Sequence, residues 1–116
     1  MNIGTLAHGH AAAVIWLDRS HALVAQERDG HTDISEVPRG PDPELDYFDR
    51  VAHEAPDCDR LVILGPDPSR IGFQREYVTL YQRGDRMLDV GVAPALRPEE
   101  LLDQLRFIAF CPRALG

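Results

Sequence analysis

Three places in this 116-residue sequence carry side chains suited to chemistry. Gly65-Pro66-Asp67-Pro68-Ser69-Arg70 follows the aliphatic run Leu61 to Leu64, the pattern of a buried strand turning sharply into a helix. Such a turn aims a helix N-terminus at the strand's carboxyl end, where backbone N–H groups and the helix dipole favour an anion. Arg70 could grip a phosphate there, with Ser69 capping the helix and Gly65 making the bend, but the carboxylate of Asp67 opposes an anion and favours the plainer reading of a structural turn. Asp18 closes the apolar run Ala11 to Leu17, a position suited to holding a divalent metal if a helix and the end of a later strand supply further carboxylates. Asp46 or Asp49 and Asp67 are the available partners. His8 and His10 form a His-x-His pair whose imidazoles share one side of an extended chain, but no third ligand follows in sequence. Residues 1–10 are accordingly expected to be a flexible tail, with His21, His31 and His53 as ordinary surface or boundary residues. No nucleophile motif, P-loop or dinucleotide fingerprint is present, so no cofactor is expected.

Composition narrows the function classes. Apolar residues form 44% of the chain and charged ones 27%, which supports a packed core. The length fits one domain, expected over 11–116. All 12 basic residues are arginine, yet the net charge is −7, which disfavours broad nucleic-acid binding and leaves room only for a local arginine patch. Cys58 and Cys111 have no CxxC partner, so both are expected to be reduced and structural. No apolar stretch is long enough for a membrane span, and the N-terminus lacks a basic n-region and a cleavage site. A cytoplasmic protein without a membrane partner is the expectation.

The elements that must position these residues follow from periodicity. Ala11 to Asp18 and His21 to Gln26 read as paired strands. Asp29-Gly30 is a hairpin turn, and Thr32 to Val37 alternates as a half-exposed third strand. Asp42-Pro43 predicts a helix start with Asp42 as cap, and Leu45, Phe48, Ala52 and Ala55 form its apolar stripe with Asp46, Asp49 and Arg50 outside. After the strand at Leu61 to Leu64, Phe73, Tyr77, Leu80 and Tyr81 line a second helix that Gly84 ends. A last strand spans 86–92 and a last helix 98–110, with Leu101, Leu105 and Ile108 inward. The order βββαβαβα, hairpins first and helical crossovers later, predicts an α/β fold with a mixed five-stranded sheet in the ribonuclease H-like arrangement.

Two stretches carry a resemblance. Val14-Ile15-Trp16-Leu17-Asp18-Arg19-Ser20-His21-Ala22 is similar to the first strand, Asp-Arg turn and second strand of the middle domain of archaeal and eukaryotic class I peptide-chain release factors, a domain shared with Pelota and small bacterial relatives. Leu64-Gly65-Pro66-Asp67-Pro68-Ser69-Arg70, followed by Phe73, resembles that family's Gly-Pro-Gly-Pro-Thr-Lys turn and the aromatic beyond it. With the matching element order, the resemblance covers nearly the whole chain. It implies a translation-related role and a ribosomal, RNA or protein partner, with Arg19, Arg39, Gly65, Ser69 and Arg70 as the contact residues to consider. The family's Gly-Gly-Gln loop is replaced here by Pro38-Arg39-Gly40-Pro41-Asp42, so the resemblance does not extend to peptidyl-tRNA hydrolysis. The weaker alternative, which a likeness to ribonuclease H-like nucleases would imply, is a metal-dependent nuclease built on Asp18 and Asp67, set against the plainer reading of acidic residues on solvated faces. A third possibility is a homodimer pairing through the edge strand Thr32 to Val37.

Overall fold

In the computed structural model the described residues are 11–55, 58, 60–66, 68–81, 87–91 and 97–110. Among these residues five strands, β1 (Ala12–Leu17), β2 (His21–Arg28), β3 (His31–Pro38), β4 (Arg60–Leu64) and β5 (Met87–Gly91), alternate with three helices, α1 (Glu44–Glu54), α2 (Ser69–Tyr81) and α3 (Pro98–Phe110), after the initial meander. The strands form one sheet in the order β3-β2-β1-β4-β5. The pairs β1–β2 and β2–β3 are antiparallel, whereas β1–β4 and β4–β5 are parallel. The expected α/β architecture with a mixed sheet is therefore what the chain adopts.

β1 is central because every one of its residues is buried. Its two faces serve two cores. Ala13, Ile15 and Leu17 pack with Val24, Val37 and the buried residues of α1 and α2. Ala12, Val14 and Trp16 pack with Leu23, Val62, Leu64, Leu101 and Leu105. A strand covered on both faces needs a continuous apolar run instead of alternation, which explains AAVIWL. The hairpin between β2 and β3 turns at Asp29 and Gly30, with φ of 54° and 86°. Two consecutive positive φ values are the signature of a type I′ turn, for which Asp-Gly is well suited.

The helices correct two apolar stripes and one cap. The residue before α1 is Pro43, which offers no side-chain cap, while Glu44 and Asp46 place negative charge on its first turn. Asp42 instead pairs with Arg50 at 2.9 Å. The buried face of α1 is Tyr47, Phe48, Val51 and Ala52. Leu45 is 60% exposed, since the two large residues at 47 and 51 pull the stripe away from it. On α2, Phe73 and Tyr77 are buried but Leu80 is 40% exposed. Periodicity marks a stripe; it does not say how far the neighbouring element runs alongside it. Asp49 is not wholly on a solvated face: its Oδ1 is buried without a hydrogen-bond partner. The hydrogen bond between Asp49 and Glu76, with burial and the charge of Asp49 adding to it, raises the Glu76 carboxyl above its usual 4.5. On α3, Leu101 and Leu105 are inward as expected; the side chains of Tyr81 and Ile108, Gly84, and strand residues 86 and 92 lie outside the described residues.

An aromatic row fastens α1 to α2. Phe48 meets Phe73 edge-to-face at 5.9 Å, and Phe73 meets Tyr77 at the same spacing. The Tyr77 hydroxyl donates to Ala55 O at 2.8 Å and accepts from Cys58 N at 3.2 Å, so it joins the end of α1 to the chain entering β4. Cys58 is buried, as expected of a structural cysteine; Cys111 lies outside the described residues.

Candidate functional site

Parallel pairing of β1 with β4 sets Trp16 opposite Leu64, which brings the Asp18 turn and the Gly65 turn to the same end of the sheet. β2 begins and β3 ends there too, His21 pairing with Pro38. Three connections of different sequence position thus share one rim: Asp18 to Ser20, Arg39 to Pro43, and Gly65 to Pro68. In open α/β sheets the rim outside the strands' carboxyl ends is where ligands are generally received.

Asp18 builds the first connection. Its Oδ1 accepts from Ser20 N at 2.8 Å, Ser20 Oγ at 2.9 Å and His21 N at 3.0 Å. Burial pushes the Asp18 carboxyl up, but these hydrogen bonds and the nearby His21 outweigh it and hold the group below its usual 3.8. Tyr47 of α1 donates its hydroxyl to Asp18 O at 2.9 Å. Burial, followed by the charge of Asp18, raises the Tyr47 hydroxyl well above its ordinary value, so it stays a donor. An oxygen receiving three local hydrogen bonds is committed to the turn. Among the described residues no three or more His, Cys, Asp or Glu come together as a metal-holding group. Asp46 is exposed on the first turn of α1, and His53 Nδ1 lies 2.7 Å from Asp49 O. Asp67, His8 and His10 lie outside the described residues.

Replacing Asp18 by alanine is expected to cost about 1 to 2 kcal/mol, because three donors lose their common acceptor, whereas Asp18→Asn keeps the acceptor and costs under about 1 kcal/mol. The sign with pH follows from the lowered carboxyl. Its stabilisation is present above 3.8 and is lost as the pH falls through the folded-state value, so the gap between the native chain and Asp18→Ala narrows in acid. Urea unfolding at pH 7 and pH 3 measures both statements.

Arg39 stitches the second connection to the first. Its N donates to Ser20 O at 2.9 Å, its Nε to Asp42 O at 2.9 Å and its Nη1 to Arg19 O at 3.4 Å. Arg50, which periodicity places simply outside α1, donates from Nη2 to Pro38 O at 2.7 Å and Arg39 O at 3.2 Å beside its ion pair with Asp42. The only signal for it in the sequence was an arginine one helical face away from the loop that it braces. Arg19 is exposed at the tip of its turn.

The third connection depends on Gly65. Its φ is +137°, and a Cβ there would stand 2.1 Å from Leu17 O. The Gly65 carbonyl accepts from Arg70 Nε at 3.2 Å, which fixes the base of the guanidinium, and Arg70 N bonds Pro66 O at 3.1 Å at the start of α2. Ser69 lies inside the helix and is only 2% exposed, so it belongs to the turn's interior. The five contact candidates therefore divide. Arg19, Arg39 and Arg70 present cationic groups on or near the rim, while Gly65 and Ser69 are buried parts that shape it.

No protein-family model matches the sequence, and no curated protein sequence matches it. Solved structures do. Pelota of Archaeoglobus fulgidus superposes with a TM-score of 0.62 at 16% identity over 85% of this chain and 32% of that one. The archaeal translation termination factor aRF1 gives 0.60 at 11% identity over 90% of this chain and 36% of that one. Dom34 of S. cerevisiae, a translation termination-like factor involved in RNA quality control pathways and interacting with Hbs1, gives 0.52 at 7% identity over 88% and 38%. The chain spans about a third of the length of these structures. This chain thus has the fold of one portion of Pelota and of the archaeal termination factor, in line with the resemblance read from its sequence.

Proposed function

We propose that the chain is a non-catalytic, translation-related module that binds a ribosomal, RNA or protein partner through the rim bearing Arg19, Arg39 and Arg70. The observation that supports this most is the fold likeness to Pelota, aRF1 and Dom34 over most of the chain, with the two family-like turns meeting at one sheet end. We read the strand order as ribonuclease H-like and the chain from residue 11 onward as the counterpart of the release-factor middle domain. The loop from Pro38 to Asp42 holds neither Gly-Gly nor Gln, so the role proposed is binding and not peptidyl-tRNA hydrolysis. Local cations on a chain of net charge −7 suit a specific docking contact better than general adhesion to nucleic acid. With a translation partner, the cytoplasm is the location we propose. No helix among the described residues is long and apolar enough to cross a membrane.

Co-sedimentation with ribosomes tests the proposal. The native chain should pellet with ribosomes at low salt, and Arg19→Glu with Arg70→Glu should weaken that association by about tenfold or more. Failure of the native chain to co-sediment at low salt, or binding indifferent to both charge reversals, would overturn it.

A further inference from the structure

The β3 flank of the sheet carries a second surface, which adjoins the arginine rim at Pro38 and Arg50. Among the described residues β3 is an edge strand: it pairs with β2 along its whole length and has no neighbour on its other side. The hairpin fixes which backbone groups are open. With a tight Asp29-Gly30 turn, the closing pair Arg28↔His31 exchanges hydrogen bonds, and bonded pairs recur at every second position. The bond from Arg39 N to Ser20 O continues the same alternation. Residues 33, 35 and 37 therefore bond inward to β2, while Thr32, Ile34 and Glu36 turn their N–H and C=O groups outward. No hydrogen bond to those groups occurs among the described residues.

Beside this edge, between β3 and α1, run two adjoining hollows of about 280 and 400 Å³ that share Glu54. Asp29, Asp33 and Glu54 are among the residues that line them, and the β3 backbone at Glu36 borders the first. The cations there are Arg28 and Arg50, and Arg50 is engaged by Asp42 and two carbonyls. An open edge supplies main-chain hydrogen bonds to an extended chain, and a flanking groove selects its alternate side chains. Charge decides the occupant. A second copy of this chain would bring its own Asp33 and Glu36 against the same edge, whereas an arginine- or lysine-bearing strand would neutralise them.

We propose that β3 is a docking edge for a basic extended peptide, which adds as a further strand through Thr32, Ile34 and Glu36 and lays its cationic side chains into the acidic groove beside α1.

The probe is an eight-residue peptide alternating arginine and valine, with a glutamate–valine counterpart, titrated into the isotope-labelled full chain and followed by its amide resonances. The basic peptide should shift the amides of Thr32, Ile34 and Glu36 and slow their hydrogen exchange. Raising the salt should weaken it, and Asp33→Asn with Glu54→Gln should lower its affinity by about tenfold. Thr32→Pro removes an outward N–H at an exposed position and should weaken binding, while Thr32→Ser should not. If Thr32→Pro perturbs the hairpin, the carboxamide pair and the amide shifts decide alone. Equal binding of the acidic peptide, unmoved β3 amides, or a dimer detected by light scattering that protects these amides without peptide would each overturn the proposal.

Discussion

Gly65→Ala is expected to destabilise the chain by about 3 to 5 kcal/mol, enough to unfold much of it at room temperature. Two costs combine. A φ of +137° is a conformation that a residue with a Cβ avoids, and the added carbon would overlap Leu17 O, which belongs to the central strand and cannot retreat without disturbing β1 and the turn at Asp18. Gly40 provides the comparison. Its φ is +59°, but nothing lies within 4 Å of the position of a Cβ, so Gly40→Ala should cost only about 1 to 2 kcal/mol. Urea unfolding of both variants measures the difference. A Gly65→Ala chain within 1 kcal/mol of Gly40→Ala would mean that the two turns do not approach as closely as described. Because Arg70 Nε rests on the Gly65 carbonyl, the surviving folded fraction should also lose the placement of one rim arginine.

Tyr77→Phe is expected to cost about 2 to 4 kcal/mol although the ring is retained. The side chain is fully buried, and its hydroxyl serves a carbonyl at the end of α1 and an N–H on the approach to β4. Removing the oxygen takes a buried acceptor from Cys58 N and the strongest donor from Ala55 O, which also receives Cys58 Sγ at 3.5 Å, and the weakened bonding of buried backbone groups carries a desolvation penalty. Retention of the contact with Phe73 separates this loss from packing. The check is chemical denaturation together with exchange of the Cys58 amide, which should become faster in the variant. An unchanged Cys58 amide would show that the hydroxyl does not hold that connection.

The expected elements came from local signals strong enough to stand alone. AAVIWL is apolar throughout, so its place in the middle of the sheet was readable, as was the hairpin at Asp29-Gly30. The three helices followed from three- and four-residue spacing, but the extent of cover did not. Leu45 and Leu80 lie on stripes that a periodic reading marks apolar, yet neighbouring elements leave them open. The site was legible only in pieces. Asp18 and Arg70 were visible as chemically suggestive residues, whereas the roles they take depend on the donors that reach them.

What the sequence by itself determined is the set of parts: the order of strands and helices, a buried β1, two turns like those of the release-factor middle domain, and a loop without Gly-Gly-Gln. The tertiary structure decided how the parts combine. It joined turns that lie far apart in the chain at one rim, buried Ser69, set Arg50 to brace Pro38 and Arg39, and turned Asp18 from a candidate metal ligand into the acceptor that shapes its own turn. Propensity and periodicity act over a few residues and write themselves into the local sequence. Close approaches such as Gly65 to Leu17, or Tyr47 to Asp18, are set by how strands pair and helices pack, and no local pattern records them.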